Sequence, residues 1–219
     1  MRKIAAAIAL LTALTPAFAA LQLTETSPLL SQPILDFSGS RWVPDSPNRD
    51  AFRVGMIKTP GTQEGEAAVI LGKPGALRDA MGGVAQSVAA EEWRGKRVRL
   101  TARLKTMDAT WVQIEMHVFS GPSPEQAAPR TMVSRPVSGT HDWQAQEIVM
   151  DVPADAQDIV FGFYLRGPQG AALGDSFKLE AVGRNVALTR PPLGMGFGAP
   201  SMTRTYSAES FQNAGPGGN

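Results

Sequence analysis

Cysteine is absent from the 219 residues of this chain. Its absence excludes disulfides, thiolate metal sites, cysteine nucleophiles and a lipidated N-terminal cysteine. A domain without disulfides must be held together by its hydrophobic core, and the 43% hydrophobic content is enough to build one. The chain is long enough for one domain and too short for two of ordinary size.

Histidine is also rare in this chain, and the net charge is small. The two histidines are His117 and His141, and neither lies in a G-x-S-x-G or H-E-x-x-H motif. The formal net charge is only +1, without the clustered basic excess of a nucleic-acid-binding protein. We therefore expect neither an enzyme nor a nucleic-acid partner, and a hydrolase is the weaker alternative.

Long apolar runs are missing, so no transmembrane segment is expected. The longest such run, residues 4–14, is shorter than the ~20 residues that span a bilayer. It follows Arg2 and Lys3 and precedes Ala17-Phe18-Ala19, which is the order of a bacterial signal peptide. This pattern predicts cleavage after Ala19 and a periplasmic or secreted protein. Removing residues 1–19 changes the formal net charge to −1, with 19 basic and 20 acidic residues.

The rest of the chain divides by composition into three parts. Residues 20–33 read as a linker, residues 34–183 as a single domain, and residues 184–219 as a Pro/Gly-rich flexible tail that packs little or docks on a partner. Within the domain, we expect a first strand at residues 34–37, a helical turn at residues 76–81 that ends at two glycines, and a long exposed loop at residues 120–136.

Alternation of apolar and polar residues is the strongest structural signal of the domain. It marks three half-buried strands, and a short apolar run at residues 67–71 predicts a fully buried one. The expected core positions are Val98, Leu100, Ala102, Leu104, Val112, Ile114, Met116, Val118, Ile159, Phe161, Phe163 and Leu165. Several such strands without a long amphipathic helix predict an all-β antiparallel sandwich or barrel.

Five short sequence segments, or phrases, give the domain a recognisable signature. They are GVAQSV at residues 83–88, WRGKRVRL at 93–100, RPVSGTHDW at 135–143, VMDVPADA at 149–156 and IVFGF at 159–163. Together they resemble a family of galactose-binding-like, carbohydrate-binding-module-like jelly-roll domains of bacterial proteins. The resemblance covers roughly residues 34–183 and implies an antiparallel jelly-roll β-sandwich. We expect Trp93 and Trp143 in these phrases to pack in the core or at corners.

Binding residues are expected on the polar face of the central strands. If these strands pair, one sheet face would carry Arg99, Arg103, Trp111, Gln113, Glu115, His117 and Tyr164. Sugars present hydroxyl rims and apolar C–H faces, which an aromatic platform flanked by amides and charged groups can bind. The alternative is an ordinary solvated face with cross-strand ion pairs.

The resemblance also implies a possible structural calcium near the ends of the domain, with Asp36 and Asp175 as candidate ligands. The chain departs from the family here, because Ser176 stands where a second acid is common. The function expected overall is an exported, non-catalytic envelope module that binds a glycan or another envelope component. The competing class is a protein-interaction accessory protein that acts through residues 120–136 and the C-terminal tail.

Overall fold

A computed structural model describes residues 32–63, 65–75, 77–121, 128–167 and 169–190. Within these ranges, helical structure is confined to 3-10 turns at Arg49–Ala51 and Glu91–Trp93, so no helix of the described chain is long enough to cross a bilayer. The strands are β1 (Val43–Pro44), β2 (Phe52–Lys58), β3 (Glu66–Gly72), β4 (Met81–Ala89), β5 (Arg97–Ser120), β6 (Ala128–Val133), β7 (Val137–Asp151), β8 (Ala156–Arg166) and β9 (Ala171–Val182).

The strands form two antiparallel sheets that share β5. The second half of β5 pairs with β8 and β6, and β4 and β1 complete this first sheet. The first half of β5 pairs with β7 and β9, and β3 and β2 complete the second sheet. β5 bends between its halves, where its register with β7 slips and Asp108 has a φ of +46°. The result is the expected jelly-roll sandwich.

The core lies between the two sheets and contains the predicted positions. The ring of Phe163 on β8 stacks 5.9 Å from that of Phe177 on β9, so the inner faces of the sheets are in contact. Leu100 and Ile114, from the two halves of β5, belong to the same buried cluster. All twelve alternating positions named above are at most 5% exposed, which confirms their predicted inward orientation.

Three local expectations are corrected. Residues 34–37 form no strand, and only Leu35 makes a bridge, to Met56 of β2. In the stretch expected to form a helical turn, residues 76–81, the structure has a hydrogen-bonded turn from Leu77 to Ala80. Met81 already belongs to β4, which runs through the two glycines that were expected to end the helical turn. The expected loop at residues 120–136 contains β6, which pairs with the end of β5; residues 122–127 lie outside the described ranges.

The first residues of the expected tail pack on the domain. Thr189 bonds to both backbone groups of Val149 on β7: its amide donates to the Val149 carbonyl at 2.9 Å, and its Oγ1 accepts from the Val149 amide at 2.8 Å. Arg97 Nη1 donates to the carbonyls of Arg184 and Val186 at 2.8 and 2.6 Å. The expectation that residues 184–189 pack little is therefore wrong, while residues 191–219 lie outside the described ranges.

Candidate functional site

Five of the seven residues expected on the binding face lie together on the outer face of the first sheet. Trp111, Gln113, Glu115 and His117 alternate with the core positions of β5, and Gln113 lies directly beside Tyr164 of β8. Because side chains alternate across a strand, these four β5 residues point away from the core that Val112 and its alternating neighbours fill. The pairing of β5 with β8 therefore assembles the predicted set.

Gln113 holds two aromatic residues of this set in place. Its Oε1 accepts hydrogen bonds from Trp111 Nε1 at 2.5 Å and from the Tyr164 hydroxyl at 2.6 Å. Its amide nitrogen donates to the carbonyl of Ser134, which follows β6, and Ser134 Oγ accepts from the Ile114 amide at 3.2 Å. The indole and the phenol are thus fixed by a network that is anchored to the backbone.

Glu115 and His117 form a buried pair beside this network. Glu115 Oε2 lies 3.2 Å from His117 Nε2, and His117 Nδ1 lies 2.8 Å from Thr131 Oγ1 on β6. Burial disfavours the charged imidazole and by itself would lower the pKa of His117. Attraction to the carboxylates of Glu115 and Asp45 is the larger effect, so the pKa of His117 is raised. Burial, reinforced by the Glu115 carboxylate, raises the pKa of the Tyr164 phenol, which therefore stays neutral at ordinary pH.

These side chains are buried, in contrast to the solvated face that their polarity indicated. Gln113, Glu115 and His117 are 0%, 4% and 2% exposed, and Tyr164 is 7% exposed. Trp111 is half-buried and is the member of the set that retains substantial surface. Since buried polar groups need partners, the neighbours Ser134 and Thr131 are as much a part of the site as the predicted residues.

Arg99, one of the two remaining predicted residues, lies on the opposite face of the sandwich. It belongs to the first half of β5, where it pairs with Glu180 of β9. Its Nε and Nη2 donate to Glu180 Oε1 at 2.8 and 2.5 Å, and its Nη1 lies 3.5 Å from Glu147. The expectation that Arg99 and Arg103 share a face with Gln113 is therefore wrong, because the bend in β5 sends its two halves into different sheets.

The two candidate calcium ligands are not brought together. Leu35, next to Asp36, pairs with Met56 on β2, and β3 separates β2 from β9, so two strands lie between Asp36 and Asp175. Asp36 accepts a hydrogen bond from the Ser38 amide at 3.0 Å, and both oxygens of Asp175 bond to Arg103. In the described parts of the chain, no three His, Cys, Asp or Glu side chains gather as a metal site.

Sequence reasoning missed three members of the site. Ser134 and Asp45 are buried and Thr131 is half-buried against or near the predicted residues, although Asp45 lies 70 positions before Glu115 in the sequence. None of the three belongs to an alternating pattern that would mark it. In the sequence, Ser134 is distinguished only by its position directly before Arg135-Pro136, within the segment that was expected to be a loop.

Comparison with known proteins shows partial similarities. No family model matches the chain. An uncharacterized HTH-type transcriptional regulator of Bacillus subtilis, YbfP, is 33% identical over 105 residues, which are 48% of this chain and 35% of the regulator. The chain thus spans about a third of that relative.

Among solved structures, the enzymatically active domain of tailspike protein 4 from bacteriophage CBA120 has a TM-score of 0.53 at 13% identity, over 70% of this chain and 22% of that one. The C-terminal family 22 carbohydrate-binding module of Clostridium thermocellum Xyn10B has a TM-score of 0.49 at 15% identity, over 71% of this chain and 94% of the module. The similarity to the tailspike domain shows a shared fold and no more.

Proposed function

We propose that this protein is an exported, non-catalytic module that binds a glycan or another component of the bacterial envelope through the outer face of its first sheet. The observation that carries the proposal is the way Gln113 fixes Trp111. The indole N–H is bonded to Gln113, which is itself bonded to Tyr164 and to the Ser134 carbonyl. The half-buried indole is therefore held in one orientation before any ligand arrives.

A fixed aromatic surface suits sugar recognition for two reasons. The apolar C–H face of a sugar packs on an indole, and a ring that is already immobilised loses little conformational entropy on binding. Glu115 and His117, two and four positions further along β5, are buried and paired with each other, so they support this face from below and do not themselves contact a ligand.

The resemblance of the sequence to carbohydrate-binding modules supports the same ligand class. Export is supported by the order of charge, apolar run and Ala-x-Ala motif in residues 1–19. Sequencing the N-terminus of the protein recovered from a bacterial periplasm tests this part of the proposal. We expect the chain to begin at Ala20, and recovery of an intact Met1 in the cytoplasm would contradict export.

Binding of the full chain to a glycan array, with peptidoglycan and lipopolysaccharide as further ligands, tests the recognition itself. Trp111→Ala is the informative variant, and Trp143→Ala is its matched control, because Trp143 is also half-buried but lies on β7 of the second sheet. We expect Trp111→Ala to lose binding and Trp143→Ala to keep it. If neither the parent nor the variants bind any of these ligands, the glycan proposal is refuted.

A further inference from the structure

A cleft of about 450 Å³ lies at an edge of the sandwich and is separate from the outer-face site. Both sheets contribute to its lining: Gln86 comes from β4 of the first sheet, and Ala68 and Phe177 come from β3 and β9 of the second. Its volume falls within the ~300–1,000 Å³ that is usual for small-molecule sites. None of the five residues of the outer-face site lines it.

One wall of the cleft is aromatic and rigid. The indole of Trp42 stands edge-on to the rings of Phe177 and Phe163, with centroids 4.9 and 6.0 Å apart. The turn before Trp42 is fixed by Ser40, whose hydroxyl donates to the Phe37 carbonyl at 2.9 Å and accepts from the Trp42 amide at 3.2 Å. The wall is therefore formed before a ligand binds.

Directly before Phe177 of this wall, β9 carries a strained bulge. Between its pairs with Thr101 and Arg103, β9 contains one residue more than β5, and Ser176 in this bulge has a φ of +56°. Positive φ is uncommon for residues other than glycine, and such strain concentrates at functional sites. Bulges likewise serve to redirect a side chain. The chain thus keeps a serine where glycine would be more stable.

The hydroxyl of Ser176 suggests a reason why a serine occupies this strained position. Ser176 lines the cleft, and its Oγ is buried without a hydrogen-bond partner in the part of the chain that the structure describes. A buried polar atom without a partner costs about 1–3 kcal/mol, so native proteins rarely keep one without a reason. Ser176 as a whole is only half-buried, so a change of its χ1 rotamer turns the hydroxyl toward the cleft, where a ligand hydroxyl would supply the missing hydrogen bond.

The charges around the cleft indicate a ligand without net charge. Glu66 and Arg41 carry opposite charges, and Asp175 is neutralised by its two bonds to Arg103. The lining residues therefore carry no net charge that would favour an anion or a cation. Hydroxyl, amide and aromatic groups remain for recognition.

We propose that this cleft is a second ligand site, which takes a neutral, hydroxyl-rich small molecule such as a monosaccharide or the terminal residue of a saccharide chain. Ser176 Oγ bonds to a ligand hydroxyl, Gln86 supplies an amide from the facing sheet, and Trp42 and Phe177 pack on the apolar face of the ligand. The site extends the proposed function, and it does not depend on binding at Trp111.

Amide chemical shifts of the ¹⁵N-labelled full chain test this site, with methyl glycosides of glucose, galactose, mannose and xylose added singly in the millimolar range. We expect at least one glycoside to shift the amides of Ser176 and Phe177 saturably. In Ser176→Gly the Kd should rise roughly tenfold, the equivalent of one hydrogen bond. The thermal midpoint of that variant should stay the same or rise, because glycine relieves the positive φ.

Two controls separate this proposal from the others. Ser138→Gly changes an exposed serine on β7 and should leave the Kd unchanged. Trp111→Ala removes the platform of the outer face and should leave the shifts at Ser176 unchanged, so failure of one site is distinguishable from failure of the other. The proposal is overturned if no glycoside shifts the cleft amides, if Ser176→Gly binds as tightly as the parent, or if methyl glucuronoside binds more tightly than the neutral glycosides.

Discussion

Arg103 and Asp175 form a two-point ion pair between β5 and β9, on the outer face of the second sheet. Arg103 Nε lies 2.9 Å from Asp175 Oδ1 and Nη2 lies 2.5 Å from Oδ2. The guanidinium also lies 5.0 Å from the ring centroid of Trp143, and the Asp175 carboxylate is only 6% exposed. This pair holds both strands at the start of the bulge that contains Ser176.

Removing the arginine should destabilise the fold because it leaves a buried carboxylate alone. We expect Arg103→Leu to lower the free energy of unfolding by about 2 kcal/mol, less than for a fully buried pair because the arginine is partly exposed. Urea denaturation measures the change. In the double variant Arg103→Leu with Asp175→Asn, most of the loss should be recovered.

Arg99→Leu is the matched control for that experiment. Arg99 lies on the same outer face, but both it and its partner Glu180 are partly exposed, with 34% and 28% of their side chains accessible. Its loss should therefore cost less than the loss of Arg103. An equal or larger effect of Arg99→Leu would contradict the importance of burying Asp175.

The raised pKa of His117 makes stability depend on pH. The folded state binds the proton more tightly than the unfolded state, whose histidine has a pKa of about 6.5. Stabilisation from the charged imidazole is therefore complete below pH 6.5 and is lost as the pH rises through the higher folded pKa. We expect the free energy of unfolding to fall with pH in this range, more steeply for the parent than for His117→Gln.

His141→Gln is the control for the pH experiment, since His141 is exposed and its Nε2 lies 2.9 Å from the carbonyl oxygen of the nearby Ser138. Urea denaturation at a series of pH values measures all three proteins. The same slope in the parent and in His117→Gln would show that Glu115 and Asp45 do not favour the charged imidazole.

The contacts of Arg97 should determine how firmly residues 184–189 are held. Arg97 binds Asp151 through Nε and Nη2 and the carbonyls of Arg184 and Val186 through Nη1. We expect Arg97→Ala to speed hydrogen exchange at the Thr189 amide and tryptic cleavage after Arg184, because the segment then keeps mainly its bonds to Val149. Arg99→Ala should change neither rate, and equal rates in the parent and in Arg97→Ala would contradict this role.

The strands could be predicted from the sequence because alternation is a local property. Val98 and Val112 are buried as their patterns indicate, and so are their alternating neighbours. The path of β5 could not be predicted in this way. The alternation before and after the bend has the same phase, so the pattern predicts that Arg99 and Gln113 share a face. The bend at Asp108 and the register shifts beside it depend on pairing with β7, which is distant in sequence.

The composition of the site was predictable, and its burial was not. Trp111, Gln113, Glu115 and His117 are adjacent by alternation alone, and Tyr164 joins them through the antiparallel pairing of β5 with β8. Polar side chains on one face of a strand ordinarily indicate solvent. Here they are buried with partners from other segments, and the identity of such partners is a tertiary property that no local pattern encodes.

The central claim is that Trp111 forms a rigid platform for a glycan, and one comparison of dissociation constants tests it most directly. The full-length parent, Trp111→Ala, Trp111→Phe and Trp143→Ala are titrated with the best ligand found on the array. We expect Trp111→Ala to weaken binding at least tenfold, as for a central aromatic contact, Trp111→Phe to weaken it less because a ring face remains, and Trp143→Ala to leave it unchanged. Equal affinity of the parent and Trp111→Ala for every glycan would contradict the account.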